Sequence, residues 1–441
     1  MLKNLLGWTF CTLLWLGVFG HAHADDWPQW LGSKRDSVWR ESGILRTFPK
    51  DGPRVKWRVD IHGGYAGPAV ADGRVYLADY QKNREQPSAE KDKKRAVQGV
   101  ERVVCFSEAD GKLLWEYKYD CAYGIDYPVG TRVTPTVDGS RVYALGAEGN
   151  LVCLEAKSGA LIWSRDFKKD FGAKTATWGH TAHPLVDGDR LFCLVGGEGS
   201  VAVAFDKNTG RELWRALSAS EPGYCPPTMI KAGGRNQLII WHPESVNSLD
   251  PESGKVHWSV PLEPQYKMSI ATPRQLGDYL FVGGHTDQCV LIKLGKTTPS
   301  AEEVWRGARD KGLGPINSTP FLEDGYLYGV DRKGELRCVE LKTGKRLWTS
   351  FAAIPGDGPL NCGTAFLVKN EDRFFIANEA GDLIIAKLSP SGYEEISRFR
   401  MLEPTGKAMG RKVVWSHPAF ANRCVYARND KELVCISLAK E

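Results

Sequence analysis

SEADGKLLW, residues 107–115, reads as a turn followed by a strand: a polar stretch closes on Gly111, Lys112 follows, and a short apolar run ends at Trp115. Glycine supplies the positive φ of a tight turn, and the residues after it suit a strand with one buried face. The same pattern returns as EAKSGALIW ending at Trp163, DKNTGRELW at Trp214, DPESGKVHW at Trp258 and ELKTGKRLW at Trp348. Self-similarity of this kind marks a repeat architecture.

A second block lies upstream of each: GPAVADGRVYLAD from Gly67, TPTVDGSRVYALG from Thr134, HPLVDGDRLFCLV from His183, TPFLEDGYLYGVD from Thr319, and looser versions from Pro226, Thr272, Gly363 and His417. A third strand runs between the two, as in NLVCLEA at Asn150 and ELVCISL at Glu432. The unit is four short antiparallel strands in roughly 43 to 58 residues, the size of a propeller blade. First blocks number eight, and their terminal strands are those of Trp115, Trp163, Trp214, Trp258, Trp305, Trp348 and a degenerate segment near Ile396. The last blade runs out at Leu438 without its own. PRVKWRVD, carrying Trp57 near the start of the chain, has the missing pattern and is expected to close the ring, removing the edge an open array would expose. The expected fold is all-β, an eight-bladed β-propeller: residues 25–52 form a strap, 53–441 the propeller, and 53–60 the closing strand of the last blade. The recurrent tryptophans are expected to pack between neighbouring blades.

Residues 1–24 read as a signal peptide, with Lys3, an apolar run and an AHA cleavage site at Ala22–Ala24. Export is expected, to the periplasm or the cell exterior, as a soluble monomer beginning near Asp25. No later segment approaches the ~18 apolar residues of a membrane span. Hydrophobic content of 42% and charged content of 25% exclude disorder, and a net charge of +5 without a long basic block gives no reason to expect nucleic acid. Ten cysteines follow residue 24. Cys105, Cys153, Cys338 and Cys435 share one third-strand position and are expected as buried free thiols, while Cys424 and Cys435 flank one hairpin, where a cross-strand disulfide is an alternative.

The glycine turn, basic residue and terminal tryptophan resemble the repeats of the PQQ-like (pyrroloquinoline quinone-type) propeller family, over residues 26–438. One branch of that family comprises quinoprotein dehydrogenases, which oxidise alcohols or sugars with PQQ and calcium. Another comprises non-catalytic propellers similar to the propeller subunit of the outer-membrane β-barrel assembly machinery. The resemblance implies, for catalysis, a calcium caged by carboxylate and amide oxygens and a carboxylate base beside the quinone. The chain has no Cys-Cys dipeptide of the kind that clamps the quinone in many members, no CxxCH haem motif, and short inter-blade loops. Its one sizeable insertion, QKNREQPSAEKDKKRAVQGV at 81–100, offers no calcium cage. The expectation is therefore an exported non-catalytic propeller without cofactor, a protein-interaction scaffold or ligand-binding module. Its partner would be another exported or envelope protein, in envelope or outer-membrane protein assembly, or an unidentified small ligand. A PQQ-dependent dehydrogenase is the alternative.

Propellers bind ligands at a mouth of the central channel, beside the start of each first strand. The residues expected there are Tyr65, Arg132, Trp178, His180, His183, Tyr224, Asn317, Asn361, Trp415 and His417. TATWGHTAHP, residues 175–184, concentrates an indole and two imidazoles in one loop. The histidine spacing is not diagnostic of zinc or copper, and no metal is expected. DWPQWLGSKRDSVW, residues 26–39, resembles the strap before the first blade of quinoproteins and is expected to hold the N-terminus across one end of the propeller.

Overall fold

The computed structural model describes residues 25–83, 96–356 and 358–440. The expected signal peptide and most of the 81–100 insertion lie outside the described residues. Eight four-stranded antiparallel sheets follow one another along the chain as the blades of a β-propeller. Blade 1 consists of Ala69–Ala71, Arg74–Lys82, Val97–Ser107 and Leu113–Tyr123. Blades 2 to 7 span residues 136–166, 185–216, 228–261, 274–306, 321–350 and 365–400. Blade 8 takes three strands from the end of the chain, Ala419–Ala421, Cys424–Arg428 and Glu432–Ser437, and its outermost strand, Val55–Asp60, from the beginning. Trp57 pairs with Cys435 and Asp60 with Glu432, so the ring closes through the segment expected from its tryptophan.

The outermost strand carries a register shift just before its tryptophan in every blade that has one, as between Cys105 and Phe106 opposite Trp115 and between Cys153 and Leu154 opposite Trp163. The extra residue of this bulge increases the local twist. It leaves Leu114 and Ile162 on the outer surface, 45% and 44% exposed, while the adjacent Trp115 and Trp163 are buried. The indole then reaches the following blade. Trp115 Nε1 donates to Ala156 O at 3.1 Å, Trp163 to Lys207 O at 3.1 Å, Trp214 to Pro251 O at 3.0 Å, Trp305 to Leu341 O at 2.8 Å and Trp348 to Ser389 O at 2.8 Å. Trp57 completes the circuit by donating to Glu108 O of blade 1 at 2.8 Å. The turn glycine of the receiving blade lies under the ring: a Cβ on Gly159 would stand 2.5 Å from Trp115. Trp258 departs from this scheme. Blade 5 replaces the glycine turn with GKTTPS, residues 295–300, and Trp258 Nε1 donates at 2.9 Å to Gln237 Oε1 of its own blade.

The apolar core is correspondingly a circle of inter-blade cores. One cluster joins Tyr76, Val103, Cys105 and Trp115 of blade 1 to Val142, Val152 and Leu154 of blade 2. All ten cysteines among the described residues are buried free thiols. Cys424 lies opposite Ser437, and Cys435 opposite Tyr426, so the two sulfurs sit on a diagonal of the hairpin and no disulfide forms.

The strap crosses the ring. Trp27 pairs with Val70 of blade 1, Val137 N of blade 2 donates to Pro28 O at 2.8 Å, and Arg35 donates to Pro184 O before blade 3 at 2.9 Å. Arg274 of blade 5 donates to Arg35 O and Asp36 O, both at 3.0 Å, and Trp39 N donates to Lys369 O of blade 7 at 2.8 Å. Trp27 and Trp39 are 2% and 1% exposed, the values of core residues. Beyond them, Leu45 N donates to Leu438 O of blade 8.

Candidate functional site

Above the strap the channel holds a cavity of about 610 Å³. In an antiparallel four-stranded blade the connection to the next blade and the hairpin between the second and third strands share one face. The cavity is built on that face. Every inter-blade connection lends it a side chain: Arg132, Trp178, Tyr224, Tyr266, Asn317, Asn361, Trp415 and, between the closing strand and blade 1, Tyr65. The hairpins of blades 5 and 6 add His285 and Arg332, and the small ribbon formed by Gly406–Ala408 and Arg411–Val413 adds Met409.

The floor is Trp30, from the strap. Its ring stacks on His183 at 4.2 Å between centroids and 16° between planes, and meets His417 at 4.7 Å. Both imidazoles are buried, and burial holds each in the neutral form: His417 is pulled down to about 4 and His183 well below its ordinary value. His183 Nδ1 accepts from Thr134 N at 3.1 Å, which places its proton on Nε2. His417 Nδ1 meets Pro418 O at 2.6 Å, a contact that requires the proton on Nδ1. Two neutral imidazoles of opposite tautomer therefore flank the indole.

Of the ten residues expected at the mouth, nine line this cavity, and His180 does not. Gly179, at φ +78°, turns the chain, His180 N donates to Ala147 O at 2.8 Å, and the ring is carried into the core, edge-on to Phe167 at 5.4 Å. There it anchors the short helix Phe167–Phe171 against blade 2 and has no part in the channel. Among the described residues no group of three or more His, Cys, Asp or Glu side chains is placed to hold a metal ion. The walls are aromatic, and their charges are few. Asp126 is the one carboxylate lining the cavity among the described residues. Glu379 stands close by but is committed: it accepts from Arg411 Nε at 2.6 Å, Arg411 Nη2 at 3.0 Å and Trp415 Nε1 at 3.0 Å. Arg132 stands over the ring of Tyr65 at 5.2 Å and donates to the carbonyls of Gly130, Asp126 and Tyr127. Burial pushes the Tyr65 phenol up to about 12, and its Oη is buried without a hydrogen-bond partner among the described residues. A calcium ion takes six to eight oxygen ligands, mostly from carboxylates and carbonyls, and a quinone cofactor needs a carboxylate base; one exposed Asp126 does not fit that donor set.

The sequence reading missed Trp30, Asp126, Tyr127, Tyr266, His285, Arg332 and Met409 as lining residues. His285 and Arg332 were within reach of it, because strand direction alone places second-to-third hairpins on the same face as the connections. Tyr266 carries a backbone signal instead: it sits at φ +57°, is 65% exposed, and meets His285 edge-on at 5.5 Å at the rim.

A family profile described as outer membrane protein assembly factor BamB matches residues 99–350 and 242–441. The BamB of Yersinia pestis is 21% identical over 263 residues, covering 58% of this chain and 65% of that protein, just under two thirds of its length. Among solved structures, BamB from Moraxella catarrhalis shares the fold with a TM-score of 0.56 at 16% identity, over 87% of this chain and 97% of that one. The quinohemoprotein alcohol dehydrogenase of Comamonas testosteroni does so with a TM-score of 0.62 at 13% identity, over 94% and 81%. At such identities the structural likeness speaks to the fold alone.

Proposed function

Because the chain belongs to the family described by outer membrane protein assembly factor BamB, we propose that it is an exported, non-catalytic propeller that works as a binding scaffold in envelope protein assembly. The binding face in this reading is the open mouth above Trp30, and the partner is another envelope protein or a small ligand held there. One observation carries it: an aromatic cavity of about 610 Å³, built from all eight inter-blade connections and closed below by the strap, with Asp126 as its one lining carboxylate among the described residues. Such a wall offers burial and stacking to a ligand. Acid–base chemistry would need a second, positioned titratable group, and both imidazoles of the floor are fixed through Nδ1 to the main chain and held neutral by burial.

Affinity capture from envelope extracts tests the reading. Wild-type protein is expected to retain a discrete partner that Trp178→Ala and Tyr266→Ala lose, with melting temperatures unchanged. Steady dye reduction on adding PQQ, calcium and a panel of alcohols would instead establish a dehydrogenase.

A further inference from the structure

The two guanidinium groups of the cavity have no carboxylate partner. Arg332 makes no side-chain hydrogen bond or ion pair among the described residues, and Arg132 is held by three carbonyls but by no anion. Nearby arginines behave differently: Arg411 is clasped by Glu379, Arg337 pairs with Asp331 at 3.1 Å, and Arg346 with Asp287 at 2.9 Å. Arg132 comes from the connection between blades 1 and 2 and Arg332 from the hairpin of blade 6, on opposite sides of an eight-bladed ring. A ligand satisfying both carries more than one anionic group, spaced across the channel.

The rest of the lining defines what lies between those groups. Trp178 and Trp415 supply indoles, which pack on the C–H face of a sugar ring. Asn317, Asn361 and Thr319 supply amide and hydroxyl groups, with Asn317 Nδ2 donating to Thr364 Oγ1 at 3.1 Å, so hydroxyl-bearing ligand atoms are matched by hydroxyl- and amide-bearing walls. A flat aromatic acid would use the indoles and guanidiniums and leave these polar groups unmatched. We propose that the cavity binds an acidic oligosaccharide, a short chain of uronic acid units with its carboxylates on Arg332 and Arg132 and its ring faces on Trp178 and Trp415. This rests on the reading of the open mouth as the binding face and names the ligand class for it.

Titrating the intrinsic tryptophan fluorescence of the intact protein with a trimer of galacturonic acid tests the assignment, with the neutral galactose trimer and PQQ as comparison ligands. The acidic trimer is expected to give a saturable change and the neutral trimer a binding at least about tenfold weaker. Arg332→Gln, which removes no hydrogen bond or ion pair among the described residues, should weaken the acidic trimer about tenfold and leave the neutral one and the melting temperature unchanged. Equal affinity for the two trimers, no response to either, or indifference to Arg332→Gln would overturn the proposal. So would PQQ binding more tightly than the acidic trimer with the same dependence on Arg332, since that reassigns the site to an aromatic acid. If the trimer fails while envelope partners are still captured and lost with Trp178→Ala, the ligand class falls and the scaffold reading stands.

Discussion

Trp30 serves the strap and the cavity at once. Its indole lies between His183 and His417, and neither ring can acquire a proton without placing an uncompensated charge in a buried site. Both groups have folded-state values below the ordinary value of 6.5, so between pH 6.5 and about 4 the unfolded chain binds more protons than the folded one. Stability is fully present above that window and is lost as the pH falls through it, by up to about 1.4 kcal/mol per pH unit for each such histidine. Thermal melts from pH 7.5 to 4 should show this slope, and His417→Gln should reduce it by the His417 share while that of His183 remains. Trp27→Ala should lower the unfolding free energy by about 3–5 kcal/mol, because this buried ring fills the junction of strap and blade 1; denaturant titration measures it. At this scale the sequence was legible only in part. His180 and His183 are three residues apart in one loop, yet one is core and the other lines the channel. The difference is made by the hydrogen bond from His180 N to Ala147 O, and a partner 33 positions away leaves no mark on the loop's own pattern.

A blade is locked to the next by a bulge, an indole and a glycine acting together. The glycine and tryptophan were plain in the repeat, and from them the strands and blade number followed. The bulge was not, because alternation of polar and apolar residues continues across it, and only the cross-strand register reveals two residues facing one. Gly159→Ala should destabilise the protein by about 1–3 kcal/mol, since the position requires φ of +73° and a Cβ there would press on the Trp115 ring. Gly254→Ala should do the same beneath Trp214. Trp258 faces no such turn, and its lock is instead Gln237, which accepts from Trp258 Nε1 and from Ser248 Oγ at 2.6 Å. Gln237→Leu should therefore destabilise blade 4 by about 1–3 kcal/mol by leaving two buried donors unmatched.

The whole molecule is a ring whose closing contact joins residues 55–60 to residues 432–437. Seven of the eight junctions link neighbours in sequence, and the eighth links the two ends. The strap adds a second long-range tie by running from blade 1 to blade 7 beneath the channel. Removing residues 25–60 should consequently expose the free edge of Glu432–Ser437, which a gain in light scattering and a melt of lower cooperativity would report. Closure was readable from the sequence because a tryptophan strand was missing at one end and present at the other. The route of the strap was not, since its anchors, Arg35 on Pro184 and Arg274 on Asp36, are main-chain contacts with no pattern of their own. Synthesis runs from the N-terminus, so Val55–Asp60 is made long before its only sheet neighbour, and must stay unpaired until nearly the entire chain has been produced. Closure is thus the strand pairing of greatest sequence separation among the blades, and loop-closure entropy makes it slow to form. A chain cut short by even its last strand has no way to finish the circle, which makes the first strand a check on the length of the last.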